Sequence, residues 1–508
     1  MVVKCKSFGL FGIDSYPVEV EASVSRGLAT FELVGLPDTA VKESRDRVRD
    51  AFRNSGFEFP VSRLTVNLAP ADTKKAGAIY DLPIFVSILK VTGTLRANID
   101  DCAFIGELGL SGEVRPVNGI LPMAIEAKKN KIKRLFVPAK NACEGAVAEG
   151  IEVYPVNNVN ELYEHLNGTA PITPAKPRII TEDKSRLPDF AQVKGQFEVK
   201  RALEVAAAGG HNVLLIGPPG SGKSMLAKRM TSILPDMTNE ETIETTKIHS
   251  IAGTLPEGVS LISSRPFRSP HHTVSYISIS GGGTTVKPGE VSLANNGVLF
   301  LDELPEFGRK TMEVLRQPLE DGTVTVSRVN GKYTYPCSFM LIAAMNPCPC
   351  GYYTHPTREC TCSPNKVKRY LNRVSGPLLD RFDIQIEVPP VKYDELTDNA
   401  GCESSAEIKK RVDAARKIQN ERYKNSATTC NARVTEKEFE ELFKLTKDAS
   451  DLLKSVFEKM SYSARGYSKV VKVARTIADL ENSRDIEARH IAEAVQYRSL
   501  DRKYWNKT

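Results

Sequence analysis

The chain has 508 residues, with 69 Lys and Arg against 62 Asp and Glu, for a formal net charge of +7. Hydrophobic residues at 41% and charged residues at 26% are the proportions of a soluble globular protein, and this length calls for two or three cores rather than one. No apolar run approaches the length that spans a bilayer, and Met1-Val-Val-Lys-Cys-Lys6 lacks a signal-peptide layout. A membrane role is therefore excluded and a cytoplasmic location expected. The mild positive charge permits nucleic-acid contact without requiring it. Ten cysteines in that compartment point to thiols or metal ligands rather than disulfides.

Residues 1–168 alternate strand-like and helical runs and carry no nucleotide motif. Val18–Val24, Thr30–Leu33, Leu64–Leu68 and Leu135–Val137 read as strands, and a helix is predicted from near Asp38 through Phe52. Pro171, Pro174, Pro177 and Pro188 crowd the next stretch, so 169–187 reads as a linker. An α/β unit is predicted over 188–395 and a helical one over 396–508. The helices of the latter are expected at Ala406–Tyr423, Glu436–Leu445, Asp448–Met460, Ala464–Leu480 and Ala488–Tyr497.

The central unit carries the chemistry. Asn212-Val-Leu-Leu-Ile216 is a buried-strand run, followed by Gly217-Pro218-Pro219-Gly220-Ser221-Gly222-Lys223-Ser224 and a helical run to Leu234. This is the phosphate-cradling loop G-x-x-x-x-G-K-[ST] in its strand–loop–helix context. Its N–H groups and helix dipole favour anions, Lys223 should reach the β/γ-phosphates, and Ser224 should hold Mg²⁺. Gly297-Val-Leu-Phe-Leu301-Asp302-Glu303 is a second buried strand ending in two carboxylates. Asp302 is expected to bind Mg²⁺ and Glu303 to polarise the attacking water. A third strand, Phe339 to Met345, ends in Asn346, which either orients that water or simply turns the chain before Pro347. In Gly376-Pro-Leu-Leu-Asp380-Arg381-Phe-Asp383, Arg381 is a candidate arginine finger or a surface ion-pair partner of a neighbouring aspartate.

Between these motifs lie further candidates. Thr323 to Tyr335 alternates around Asn330-Gly331, a strong hairpin signal. Arg328 and Lys332 would flank its tip and Tyr333 could stack on a base, although hairpins are often purely structural. Gly281-Gly-Gly283 with Lys287 makes a second candidate DNA-contacting loop, and Lys366, Lys368, Arg369 and Arg373 form a basic cluster. Cys348-Pro-Cys350 and Cys360-Thr-Cys362, within 348–362, can close a tetrahedral structural Zn²⁺ site. His355 could replace one thiolate, and free thiols or redox pairs are the alternatives.

The strand–motif order, with Arg265-Pro-Phe-Arg268-Ser-Pro-His271-His272-Thr273, Lys287-Pro-Gly289-Glu290-Val-Ser-Leu-Ala294 and Asn346-Pro-Cys-Pro-Cys350-Gly351, resembles the magnesium-chelatase-like ComM/YifB family of AAA+ ATPases over nearly the whole chain. The resemblance implies an α/β fold with three parts. They are an N-terminal Lon-protease-like α+β domain, a P-loop AAA+ core with a helix-2 insert, and a C-terminal helical lid. It also implies ATP and Mg²⁺ as cofactors, a hexameric homo-oligomeric ring, and DNA, branched or single-stranded, as partner. The implied activity is a branch-migration helicase in natural transformation or homologous recombination. A tetrapyrrole metal-chelatase motor and a protein-remodelling ATPase are the alternatives. In the Lon-like part, Lys75-Ala-Gly-Ala78-Ile-Tyr-Asp81 has no serine and Asn118-Gly-Ile-Leu121-Pro no lysine, so no serine–lysine protease chemistry is expected. The lid should supply a sensor arginine, preferably Arg465 at a helix start, with Arg475 in reserve.

Overall fold

The computed structural model describes residues 2–178, 188–256, 258–283, 286–328, 331–391, 402–460 and 463–505. The linker segment 179–187, Asn330 of the hairpin turn and the 395/396 boundary lie outside them.

The N-terminal strands are β1 (Val2–Phe11), β2 (Asp14–Ser25), β3 (Thr30–Val34), β4 (Arg63–Ala69), β5 (Cys102–Phe104), a small β6–β7 pair (Glu107–Leu108, Val114–Arg115), β8 (Arg134–Pro138) and β9 (Glu152–Val156). Seven of them form one mixed sheet in the order β3-β4-β2-β1-β5-β8-β9. Alternation sets its inner face: Val18, Val20 and Ala22 from β2 and Leu64, Val66 and Leu68 from β4 are buried, as period-two side-chain placement requires. The helix Thr39–Asn54 starts at Asp38, whose carboxylate accepts the Val41 N–H at 2.8 Å. It lays Val41, Val48, Ala51 and Phe52 on the core. Beside it, the helix Asp81–Val91 is almost wholly buried.

The central unit is built on β10 (Val213–Ile216), β11 (Phe267–Arg268), β14 (Val298–Leu301), β17 (Met340–Met345) and β18 (Ile384–Glu387). They form one sheet in the order β11-β14-β17-β10-β18, with every pairing parallel. Residues such as Val213, Leu215, Val298 and Ile342 face the helices Phe197–Gly209 and Lys223–Ile233 and, with them, the C-terminal helices. Their alternates Leu214, Ile216, Leu299 and Leu341 face a second layer. That layer contains the ribbon β12–β13 (Gly281–Gly282, Lys287–Pro288), the hairpin β15–β16 (Thr323–Arg328, Gly331–Pro336) and the cysteine loop. Cover on both faces explains why these strands read as unbroken apolar runs.

C-terminal helices span Ser405–Arg422, Glu436–Leu442, Lys447–Met460, Ala464–Leu480 and Ala488–Gln496, close to their expected bounds. They are tied to the central unit by polar contacts. Ser405 Oγ accepts the Phe190 N–H at 2.8 Å, and Lys469 Nζ lies 2.9 Å from Asp383. Several contacts join the N-terminal part to the central unit. Gly119 N–H donates to Ser250 O at 3.2 Å, the buried Glu144 carboxylate accepts from Ser250 Oγ, and Phe11 packs on Tyr333 with ring centroids 4.8 Å apart.

Arg475 has a structural place. It is fully buried, donating to Asp479 at 3.1 Å and to the carbonyls of Arg484 at 2.8 Å and Ser483 at 2.5 Å. Its guanidinium is consumed by the turn that ends its own helix, which removes it as a reserve nucleotide sensor. Arg475→Ala is expected to cost about 3–5 kcal/mol, as breaking a buried pair does, read as a lower urea midpoint. Arg475→Lys should fail to restore it, because one ammonium cannot match the fork.

Candidate functional site

Parallel strands deliver their carboxyl ends to one edge of the sheet. At that edge Ile216 runs into the glycine loop, Leu301 into Asp302, and Met345 into Asn346. The loop is seated tightly: a Cβ at Gly217 would fall 2.3 Å from the Val388 carbonyl oxygen. Only glycine lets β10 and the end of β18 close there. The helix Lys223–Ile233 then begins at the loop, aiming its free N–H groups into the cradle.

Lys223 Nζ is turned back onto the loop. It donates to the carbonyls of Gly217 at 2.9 Å and Pro218 at 2.8 Å and to Asn346 Oδ1 at 3.2 Å. Burial pulls its pKa down to about 8, against the opposing pull of Asp302. A polyphosphate would supply the countercharge this ammonium lacks. Ser224 Oγ donates to Asp302 Oδ2 at 2.5 Å, so a hydroxyl and a carboxylate stand side by side. Oxygen donors of this kind fit a hard divalent cation such as Mg²⁺. Glu303, the next residue, has φ +54°, and its carboxylate lies 3.3 Å from His272 Nδ1 with the side chain 58% exposed. Lys223, Ser224, Asp302, Glu303 and Asn346 thus meet at one edge.

The two arginines do not join them. Asn212, just before β10, donates its amide to the Arg381 carbonyl at 3.0 Å, which places Arg381 at the opposite edge of the sheet. The four-residue strand between spans about 13 Å at its rise per residue. Arg381 donates to Glu320 Oε2 at 2.5 Å and keeps a buried Nε with no hydrogen-bond partner among the described residues. Arg465 is exposed at the start of Ala464–Leu480. One turn later Lys469 donates to the Phe382 carbonyl at 3.1 Å, so the helix that carries Arg465 docks on the far edge. Among the described residues, neither arginine forms a hydrogen bond or ion pair with the glycine loop of its own chain.

Cys348, Cys350, Cys360 and Cys362 offer sulfur atoms that all lie within 4.8 Å of one another. Three pairs are 3.3, 3.6 and 3.5 Å apart. Thiolates at about 2.3 Å from a tetrahedral zinc sit about 3.8 Å from each other, so the set fits that ion. Burial raises the Cys348 thiol to about 12. Desolvation also acts on Cys350, but backbone N–H groups of Tyr352 and Thr361 and the neighbouring thiols bring it to about 6. His355 is not in the set; its Nδ1 accepts the N–H groups of Thr357 and Arg358. The loop rests on the phosphate cradle, since a Cβ at Gly351 would meet Pro219 Cδ at 2.4 Å.

Among the candidate DNA contacts, Arg328, Lys332 and Lys287 are exposed. Their elements touch: a Cβ at Gly282 would lie 3.1 Å from Arg328 Nη2, and Tyr335 OH donates to Val286 O at 3.4 Å. Tyr333 is different, because its ring is engaged by Phe11 and must leave it before stacking on a base. Of the basic cluster, Lys368, Arg369 and Arg373 line an open cleft of about 900 Å³ with Glu306 and Phe307, and Arg373 is already paired with Glu306 at 3.0 Å. Residues passed over in the sequence as site groups are His272, Glu320 and Phe11. The first is marked only by its contact with Glu303 in the folded chain, and nothing local marks the other two.

Comparison with known proteins agrees with this layout. Three family descriptions match in succession: "Subunit ChlI of Mg-chelatase" over 20–141, "Magnesium chelatase, subunit ChlI" over 189–396, and "Magnesium chelatase, subunit ChlI C-terminal" over 402–498. The chain is 44% identical over 500 residues to the competence protein ComM of Haemophilus influenzae, covering 97% of this chain and 96% of that one. It is also 44% identical over 497 residues to YifB of Escherichia coli, with the same coverage. A shorter match, 44% over 81 residues and 16% of this chain, is to the DNA repair protein RadA of Bacillus subtilis. The chain therefore belongs to the magnesium-chelatase-like ComM/YifB family.

Proposed function

We propose that this chain is an Mg-ATP-dependent AAA+ ring motor that acts on DNA, as a branch-migration helicase in natural transformation or homologous recombination. The observation that carries the motor reading is the two-edged sheet. Lys223, Ser224, Asp302, Glu303 and Asn346 gather at one edge, while Arg381 and Arg465 stand at the other. A nucleotide bound at the first edge gains an arginine only from a neighbouring chain, which is the arrangement of a ring, here taken as a hexamer.

In that ring the loop N–H groups and Lys223 hold the β/γ-phosphates. Ser224 and Asp302 hold Mg²⁺, whose charge offsets that developing on the phosphate oxygens. Glu303 orients and takes a proton from the attacking water, and Asn346 Oδ1 or Nδ2 addresses the γ-phosphate side of the site. Arg381 of one chain answers the charge on the γ-phosphate held by the next, with Arg465 as a second cation from the same edge. The DNA reading is supported by the name of the competence relative and by the adjoining cations Lys287, Arg328 and Lys332. Zinc on the four cysteines would be structural, with no open coordination position, and would brace the loop against Pro219. The N-terminal unit, read as Lon-like without protease chemistry, would serve assembly or substrate contact. A chelatase-type motor remains the second reading because the family descriptions name magnesium chelatase.

Three outcomes are expected. Wild type should dissociate a labelled four-way DNA junction with ATP and Lys223→Ala should not. Added salt should weaken junction binding as counterion release demands. Vigorous ATP hydrolysis with no junction binding would transfer the motor to a tetrapyrrole or protein partner. Arg381→Ala should bind ATP yet lose about 10³-fold or more in hydrolysis. Mixing it with Lys223→Ala should recover activity through interfaces that pair the intact Lys223 with the intact Arg381; two inactive proteins that stay inactive when mixed would rule out the shared site. Purified protein should hold about one zinc per chain, and Cys350→Ser with Cys360→Ser should lose the metal and melt at a lower temperature. Four freely titratable thiols in the absence of metal would remove zinc from the account.

A further inference from the structure

We propose that the hairpin β15–β16 carries a seat for one unstacked nucleobase, filled here by Phe11 of the N-terminal part, which must leave before a single DNA strand binds there. The inference rests on the reading of the hairpin as a DNA contact and deepens it. It begins with strand register. Arg328 stands opposite Gly331, Val326 opposite Tyr333 and Val324 opposite Tyr335. Residues directly opposite, and residues two apart along a strand, share a face. One face therefore carries Val324, Val326, Tyr333 and Tyr335, with Arg328 and Gly331 at its outer end. The other carries Thr325, Ser327, Lys332 and Thr334. Val324, Val326 and Tyr335 are buried, so the first face turns inward.

At its outer end the cover comes from the turn between β1 and β2. The Phe11 ring lies 4.8 Å from that of Tyr333, tilted by 36°. A Cβ at Gly331 would come within 3.2 Å of the Phe11 ring, so the side chain missing there is what admits it. A Cβ at Gly12 would sit 3.9 Å from the Thr334 carbonyl and the Tyr333 ring, and Ile13 packs on the same core as Tyr333.

The seat has a definite chemistry. Tyr333 is a flat wall, Gly331 leaves a gap, and the exposed Arg328 ends the same face. An aromatic wall takes any base by its π-face, and a guanidinium answers the phosphate that accompanies it. Phe11 matches the flat, apolar part of a pyrimidine and brings no charge for Arg328. It is also loosely held, with 42% of its surface exposed. An aromatic side-chain pair is worth about two- to twelvefold in an equilibrium, a base stacked on an aromatic side chain about five- to 150-fold. A base therefore displaces Phe11, at an affinity lowered by the contact it breaks.

The test is binding of a labelled oligothymidylate, and of an abasic strand of the same length, to the full chain. It is read by fluorescence anisotropy with a non-hydrolysable ATP analogue present. The variants are Phe11→Ala, Phe11→Leu, Tyr333→Ala and the double variant Phe11→Ala with Tyr333→Ala. Phe11→Ala should bind the oligothymidylate about two- to tenfold more tightly than wild type and the abasic strand no more tightly. Tyr333→Ala should bind it at least about fivefold more weakly. In the double variant the gain from Phe11→Ala should vanish, because there is no longer a ring to uncover.

Weaker binding by Phe11→Ala would overturn the proposal and make Phe11 part of the stacking surface. Unchanged binding by Phe11→Ala beside a loss in Tyr333→Ala would also overturn it, leaving the hairpin as a DNA contact. An equal gain on the abasic strand would overturn it in favour of a phosphate site. Oligothymidylate binding that ignores both rings would remove the hairpin contact and this proposal with it, and a wild type that binds no DNA at all would remove the DNA reading itself. Should Phe11→Ala fail to fold, Phe11→Leu, which keeps apolar bulk and gives up the ring pair, decides by the same criteria.

Discussion

Five strands running the same way impose the constraint on which the rest of the central unit depends. Each strand can carry one chemical group past the hydrogen-bonded region, and parallelism sends all of those groups to one edge. The apolar interiors of β10, β14 and β17 then act as rulers. Because Leu215 lies opposite Ala344 and Phe300 opposite Ile342, the residues following each strand end at nearly the same height. Lys223, Asp302 and Asn346 come together without any local sequence relation among them. A register slip of one residue would turn the apolar sets inside out, so the packing that stabilises the sheet also fixes the site.

This is also why the site was legible in the sequence to the extent it was. Each motif follows a continuous apolar run, and a continuous run read as a buried strand tells where its last residue goes. The C-terminal helices were legible for a similar reason, since their apolar period and caps are local. Ser463 accepts the Gly466 N–H at 3.2 Å, for example, at the start predicted for that helix. What escaped is what depends on partners distant in sequence. β1 alternates Lys4, Cys5 and Lys6, and only pairing with β2 over ten residues reveals Val3 and Cys5 as inward-facing. The approach of His272 to Glu303 exists only in the folded chain. That Arg475 is structural was hidden too, because both Arg465 and Arg475 occur at plausible helical positions and only the fold shows Arg475 spending its guanidinium on carbonyls.

The cysteine loop shows how neighbouring elements share a constraint. It begins two residues after Asn346, and its Gly351 presses on Pro219 of the phosphate loop. Its far side meets the C-terminal segment, where Tyr504 OH donates to Glu387 Oε1 at 3.0 Å and approaches Thr354 at 3.3 Å. The loop is anchored by the buried Cys348 and by Tyr353 packed on the core, but it contributes few other apolar residues. Cross-linking of its ends through four thiolates on a metal would give it rigidity, and that rigidity would pass to Asn346 on one side and Pro219 on the other. Metal and nucleotide would then be coupled through van der Waals contact with the loop rather than through any shared ligand.

The opposite edge carries the complementary argument. Arg381 is mostly buried, carries a neutralising Glu320 and still has an Nε without a hydrogen-bond partner among the described residues. A guanidinium held this way is poorly solvated on one side and paired on the other, so its interaction with Glu320 is replaceable rather than structural. Glu320 is more than half exposed and recovers hydration when released, which lowers the cost of exchange. A phosphate presented by an adjoining chain would offer two negative oxygens in the fork geometry that guanidinium prefers. Exchange of one carboxylate for one phosphate is thus a nearly balanced step on the arginine side. The direction of that exchange would then be governed by the charge on the nucleotide, which differs before and after the γ-phosphate is lost, and in the proposed ring such contacts would convert hydrolysis into a change at each interface.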